Sequence, residues 1–155
     1  MWKFLRQYTA KVIVGGCVTV TFCDILGHPA SVNGNSMQPT LNGSDSRWWK
    51  RDIIWQTAYG IKWGGKGPNK GDIVTFTPPR EPQKRHIKRV VALEGDMVRP
   101  KSRDVLMIIP VGAYWMESDN PVSANDSNIY GPVSHGLIHG RATHIIWPPS
   151  RWQRL

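Results

Sequence analysis

Cysteine is scarce in this 155-residue chain: there are two, Cys17 and Cys23. Six residues along a helix hold them ~9 Å apart, beyond disulfide reach, so no disulfide frame supports the fold. Acidic residues are also few, 11 against 20 Lys and Arg, which leaves a formal charge of +9. Such a surplus asks for an anionic partner, either nucleic acid or lipid headgroups, or for a basic compartment. Long helices are discouraged by 12 prolines and 15 glycines. The chain has no internal repeat, no low-complexity tract and no recognised nucleic-acid module. Its length suffices for one sizeable core and hardly two.

Between the breakers lie short runs of Val, Ile, Thr, Phe and Trp: "DIVTFTPP", "HIKRVVALEGDMV", "DVLMIIPVGAYWM" and "THIIWPP". They read as short strands of a mainly β fold. Eight tryptophans interleave with the basic clusters "RWWKR", "KWGGKGPNK" and "REPQKRHIKR". Trp beside Lys and Arg suits lipid headgroups better than base stacking, so membrane lipids are the expected anionic partner and nucleic acid is not.

Residues 12–23, "VIVGGCVTVTFC", carry no charge, and with their flanks they approach the ~20 residues of a membrane span. Lys3, Arg6 and Lys11 precede them, and no Lys or Arg occurs from Asp24 to Ser46. The positive-inside bias then places the N-terminus on the cytosol-like or matrix-like side and the bulk of the chain across the membrane. "GHPASV" is a poor small-x-small cleavage site because it contains Pro29, which favours an uncleaved anchor over a removed signal peptide. The expected division is a membrane anchor over 1–30, with one transmembrane helix, and a domain over 31–155.

"SVNGNSMQPTLNG" at 31–43 offers Ser36 in a loop rich in Gly and Asn. On these residues alone Ser36 is either a turn residue or a nucleophile held out on a tight loop. A nucleophilic serine needs a base, and a neutral Lys can serve where no His is placed for it. Strand alternation in "RHIKRVVALEGD" puts His86, Lys88, Val90 and Ala92 on one face and Ile87, Arg89, Val91 and Leu93 on the other. Lys88 would then face a core, although Lys84, Arg85, Lys88 and Arg89 also read as one solvated basic run.

"GNSMQPTL", "KRVVALEGD" and "DNPVSANDSNIYGPV", in that order after an apolar N-terminus, resemble the motif boxes of type I signal peptidases. These are Ser/Lys endopeptidases that remove targeting sequences at membranes. "DSNIYGPVSHGL" and "HIIWPPSRW" are similar to the mitochondrial inner-membrane members. The resemblance implies two antiparallel sheets sharing one core, Ser36 as nucleophile and Lys88 as general base. It also implies Met37 beside a pocket for a small substrate side chain, Asp126 as a structural acid, and no cofactor or metal. Gly34 stands where some bacterial members carry a hydroxyl oxyanion donor, leaving that task to a backbone group or Asn35 beside the Ser36 N–H. Ala124 stands where a lysine-orienting serine is common, leaving Ser123 or Ser127 to supply the hydroxyl. Asn128 replaces a bacterial arginine, as is typical of the mitochondrial type.

By the same resemblance the substrates are precursor proteins with sorting peptides. The location is the mitochondrial inner membrane, single-pass, with the catalytic face toward the intermembrane space, and the partner is a sister catalytic subunit. Two other classes fit parts of the pattern: a Ser/Lys autoprotease, which would want a DNA-binding domain here, and a non-enzymatic basic membrane-associated β-protein.

Basic neighbours and burial both lower a lysine pKa. Reaching ~7.5 from ~10.4 needs about 4 kcal/mol of differential destabilisation of the ammonium.

Overall fold

The computed structural model describes residues 2–45, 47–62, 65–101, 104–122 and 125–155. Prolines begin only at Pro29, so nothing interrupts helix α1 (Trp2–Leu26) despite the Pro-rich composition of the whole chain. Thr19 and Thr21 return their hydroxyls to the carbonyls of Gly15 and Cys17, at 2.9 Å each, which satisfies them on an exposed helix. The Gly27 N–H closes α1 on the Cys23 carbonyl at 3.1 Å. Its φ of +114° and the Gln56 carbonyl, which a Cβ would strike, leave room for glycine alone.

The expectation of a transmembrane helix is corrected here. No helix among the described residues is long and apolar enough to cross a membrane. The uncharged stretch 12–23 spans only ~18 Å of helix against a hydrocarbon core of ~30 Å. Val12, Ile13, Val14, Val18 and Val20 nonetheless project outward, exposed. Cys17 and Cys23 are both free.

Among the described residues after α1 the regular elements are strands, one helical turn, α2 (Ser127–Tyr130), and short 3-10 turns. The strands are β1 (His28–Ser31), β2 (Ile53–Thr57), β3 (Ile73–Phe76), β4 (His86–Ala92), β5 (Met97–Val98), β6 (Met107–Ile108), β7 (Ala113–Glu117), β8 (Val133–Ser134), β9 (Ile138–Trp147) and β10 (Gln153–Arg154). One antiparallel sheet runs β1-β2-β9-β3-β4-β7-β8, with β10 also on β9, and β5 pairs β6 as a separate ribbon. One curled sheet and a ribbon thus replace the two sheets expected from the resemblance. The ten-residue β9 makes this possible, because its bulged registers against β2 and β3 bend it enough to serve three strands.

Two apolar clusters flank the strands that matter for the site. Val32, Met37, Leu41, Ile54, Ile73, Ala142 and Ile145 form the first, with Ile87 packed against it. Val74, Phe76, Val90, Met116, Val133 and Ile138, with Ile61, form the second. Each buried Leu, Ile or Met contributes roughly 1.5–3 kcal/mol, so Met37 and Leu41 anchor their loop to the core. A third cluster, Ala92, Ile109, Ala113 and Trp115, seats the ribbon.

Candidate active site

The loop that carries Ser36 is closed at its base and pinned at its tip. Gly34, at φ +92°, donates its N–H to the Gly43 carbonyl at 3.0 Å, an isolated antiparallel bridge that closes residues 34–43. A Cβ on Gly43 would stand 2.7 Å from the Gly34 oxygen, so the close crossing needs glycine. Beneath the tip, Met37 is 1% exposed and Leu41 is fully buried, and the Leu41 N–H bonds the Met37 carbonyl at 2.8 Å. Across the tip, Asn120 donates its backbone N–H to the Ser36 carbonyl and its side-chain Nδ2 to the Asn35 carbonyl, both at 3.0 Å. The anchors below and the clamp above leave Ser36 half-buried between them.

Lys88 arrives from β4 as the alternation predicts: Lys88, Val90 and Ala92 are buried, Arg89 is half-buried and Val91 is exposed. Lys88 is 3% exposed and stands opposite Val74 of β3. Cross-strand partners share a face, so Val74 and Val90 flank the lysine with hydrocarbon. Loss of water pulls the Lys88 pKa from 10.5 down to about 8, and the carboxylates of Asp126 and Asp119 oppose that pull. The expected help from Lys84, Arg85 and Arg89 is corrected by this balance. Arg89 points to the other face, and Lys84 is exposed and paired with Glu81 at 2.6 Å.

Ser36 and Lys88 line one cleft of about 400 Å³ together with Gly34, Asn35, His86 and Gln56. No carboxylate is among the residues that line it. The two acids nearest Lys88 are engaged elsewhere. Asp119 takes a two-pronged grip from Arg89, Nε to Oδ1 at 2.8 Å and Nη2 to Oδ2 at 2.7 Å. Burial pushes the Asp119 pKa up, but hydrogen bonds from Arg89 and Thr40 outweigh it, and the carboxyl ends below its ordinary range. Asp126, 1% exposed, accepts from the Ser118 N–H at 3.0 Å and from both the backbone and side-chain nitrogens of Asn128, at 3.0 and 2.9 Å. Burial raises its pKa too, and those donors more than compensate. Asp126 thereby caps α2 and ties it to the end of β7.

Gly34 and Asn35 line the cleft, whereas Met37 does not; its side chain is core beneath the loop. Ser127 Oγ accepts the Met116 N–H at 3.0 Å, so that oxygen holds α2 against β7. Ser123 and Ala124 lie outside the described residues. Three contributors were not singled out from sequence: Asn120, Asp119 and Thr40. Arg89 joins them, since its guanidinium bonds both Asp119 and the Thr40 hydroxyl, the latter at 3.3 Å. "DNP" at 119–121, which opens the third motif box, was the signal available for two of them.

A serine presented on a braced loop thus shares one cleft with a buried lysine, and the family and relatives of the chain give its class: a serine peptidase, a hydrolase. The chain belongs to the signal peptidase family, peptidase S26, whose model matches residues 5–108. It is 44% identical over 154 residues to the mitochondrial inner membrane protease subunit 2 of Mus musculus, covering 99% of this chain and 86% of that protein. The Saccharomyces cerevisiae subunit 2 is 38% identical, covering 97% and 84%. Subunit 1 of Mus musculus is 35% identical, covering 93% and 82%. A solved signal peptidase I from Enterococcus faecalis overlays 50% of this chain and 98% of its own at TM-score 0.43 and 22% identity, a partial likeness.

Proposed function

We propose that this protease cuts N-terminal sorting peptides from precursor proteins at the mitochondrial inner membrane, with Ser36 as nucleophile and Lys88 as general base. The catalytic part, 31–155, faces the intermembrane space, and the N-terminal part, 1–30, associates with the membrane through the exposed apolar side chains of α1. Its partner is a sister catalytic subunit, since subunits 1 and 2 are both relatives of this chain. The reaction needs no cofactor or metal, and no nucleic acid takes part.

The single observation that carries this reading is the shared cleft, where Lys88 with a pKa of about 8 lines the same space as Ser36. A measurable fraction of Lys88 is then neutral at pH 7, which an unperturbed lysine is not. Neutral Lys88 takes the Ser36 hydroxyl proton as Oγ bonds to the scissile carbonyl carbon. The Ser36 N–H, with a second donor from Asn35, stabilises the oxyanion, since the Gly34 N–H is taken by the Gly43 carbonyl. Collapse breaks the C–N bond, Lys88 returns the proton to the leaving amine, and an ester to Ser36 Oγ remains. Lys88 next takes a proton from water as its oxygen adds to that ester. The second collapse releases the new carboxyl terminus, and Oγ regains a proton. The Asn120 clamp and the grip of Arg89 on Asp119 and Thr40 keep the loop from drifting as these bonds change.

The test is cleavage of a sorting-peptide precursor, with Ala before the scissile bond, by the full chain in lipid. Ser36→Ala, Lys88→Ala and the double variant should each lose at least ~10³-fold in kcat/KM, and to nearly the same level, because members of one catalytic unit are not additive. Multiplying losses, or retained cleavage in either single variant, would refute the dyad.

A further inference from the structure

The loop that carries Ser36 has a further support below its base, built from the far end of the chain. Asp52, fully buried just ahead of β2, holds both legs of the loop. Its carbonyl accepts the Val32 N–H at 2.9 Å from the leg before Ser36, and its own N–H donates to the Asn42 carbonyl at 2.8 Å in the leg after it. The Asn42 N–H in turn donates to Oδ2 of the Asp52 carboxylate at 2.7 Å. The rest of that carboxylate is taken by Arg151, from the 3-10 turn Pro149–Arg151 that follows β9. Its Nε donates to Oδ1 at 2.9 Å and its Nη2 to Oδ2 at 3.0 Å. Among the described residues no other cation pairs with Asp52.

Arg151 also reaches the loop directly, since Nη2 donates to the Thr40 carbonyl at 3.0 Å. Thr40 is thereby held by two arginines from distant segments, its carbonyl by Arg151 and its hydroxyl by Arg89 at 3.3 Å. A planar guanidinium fixes direction as well as distance, which an ammonium does not. A buried carboxylate deprived of its cation is strongly unfavourable, so the segments around it shift until another donor or water reaches it. Here those segments are the two legs of the nucleophile loop. Neither Asp52 nor Arg151 lines the cleft, and the burial of Lys88 comes from β3 and β4 instead. Whatever the pair does for the reaction it does through the position of the loop.

We propose that Arg151 is a positioning residue for the peptidase reaction: by its two-pronged hold on Asp52 and its bond to the Thr40 carbonyl, it sets where the loop presents Ser36 to Lys88. The proposal rests on the Ser36/Lys88 reading above and extends it to the turn after β9. Arg151 forms no covalent bond, moves no proton and meets no substrate.

The experiment uses the full chain in lipid and the precursor with Ala before the scissile bond, with kcat expressed per folded molecule. A misplacement of about 1 Å at reacting atoms costs about 10²-fold, so Arg151→Ala should lower kcat by roughly that factor. KM should stay within about twofold of the parent, because the residues that line the cleft are unchanged, and the pH midpoint of activity should not move, because Lys88 keeps its burial. The Arg151 side chain is 35% exposed, so a small cation can enter the space that Ala leaves. Millimolar ethylguanidinium should raise kcat of Arg151→Ala about tenfold, and ethylammonium at the same concentration should not. Parent kcat in folded Arg151→Ala overturns the proposal, and so does a loss confined to KM or one that ethylguanidinium leaves unrepaired. Arg151→Lys, which keeps the charge without the fork, decides the matter if Arg151→Ala does not fold: it should lose about tenfold in kcat, and a parent value overturns the proposal. Cleavage that survives Ser36→Ala instead overturns the dyad, a separate failure.

Discussion

The two faces of β4 treat adjacent cations in opposite ways. On one face Arg89 meets Asp119 with both prongs of its guanidinium and bonds the Gly71 carbonyl and the Thr40 hydroxyl, so its charge is matched and raised in pKa. On the other face Lys88, one residue earlier, forms no ion pair among the described residues and is flanked by hydrocarbon from β3 and β4. A matched cation braces a structure, while an unmatched buried one is driven toward its neutral form. Basicity is a property of the residue, and what it does is a property of the face.

Conservative exchange should separate the two most sharply. Lys88→Arg should abolish precursor cleavage, a loss of at least ~10³-fold, because a guanidinium with pKa above ~12 cannot become a base. Arg89→Lys should lower kcat/KM by only about tenfold, through a loosened loop. Near-parent cleavage by Lys88→Arg would break the comparison outright.

Stability should move the other way. Lys88→Met removes a group whose folded pKa lies near 8 against ~10.5 unfolded, a difference of about 3 kcal/mol at pH 7, and the inactive variant should be more stable by up to that amount in urea unfolding. Arg89→Met leaves Asp119 half-buried with Thr40 but without its cation and should be less stable by about 1–2 kcal/mol, after allowance for solvent at this partly exposed pair.

The same shift fixes a pH dependence. Between about 8 and ~10.5 the unfolded chain binds more proton at Lys88 than the folded chain does. Stability therefore rises with pH across that window relative to Lys88→Met, and the penalty is complete below it. Over the lower part of the range, kcat/KM should climb as pH passes about 8, and a profile flat from 6 to 9 would contradict a lysine base. The smallest expected effect is at Lys84, which belongs to the same basic run but is exposed. Lys84→Ala should leave melting temperature and cleavage where they are, and a clear fall in activity would return weight to the basic run as a cause of the Lys88 shift.

Much of this site was legible before any coordinates. Period-two alternation put Lys88 with Val90 and Ala92 and turned Arg89 away, and the run of Gly and Asn at 31–43 marked a tight loop around Ser36. Alternation and turn chemistry are local, so the sequence carries them. Met37 shows the limit: position beside the nucleophile implied a pocket wall, but only the depth of the first cluster decides that its side chain points down into the core. The charge run 84–89 implied mutual repulsion, yet the outcome depends on Val74 from β3 and on where Arg89 finds Asp119, thirty residues on.

By itself, then, the chain determined which residues alternate, where a tight loop must close, that the fold is β-rich and which family its motif boxes resemble. Tertiary structure alone decided that one curled sheet forms, that Asn120 clamps the nucleophile loop, and that Lys88 loses its water. The reason is physical: facing and turning are set by each residue's own backbone, whereas desolvation is set by whatever distant segments pack against it.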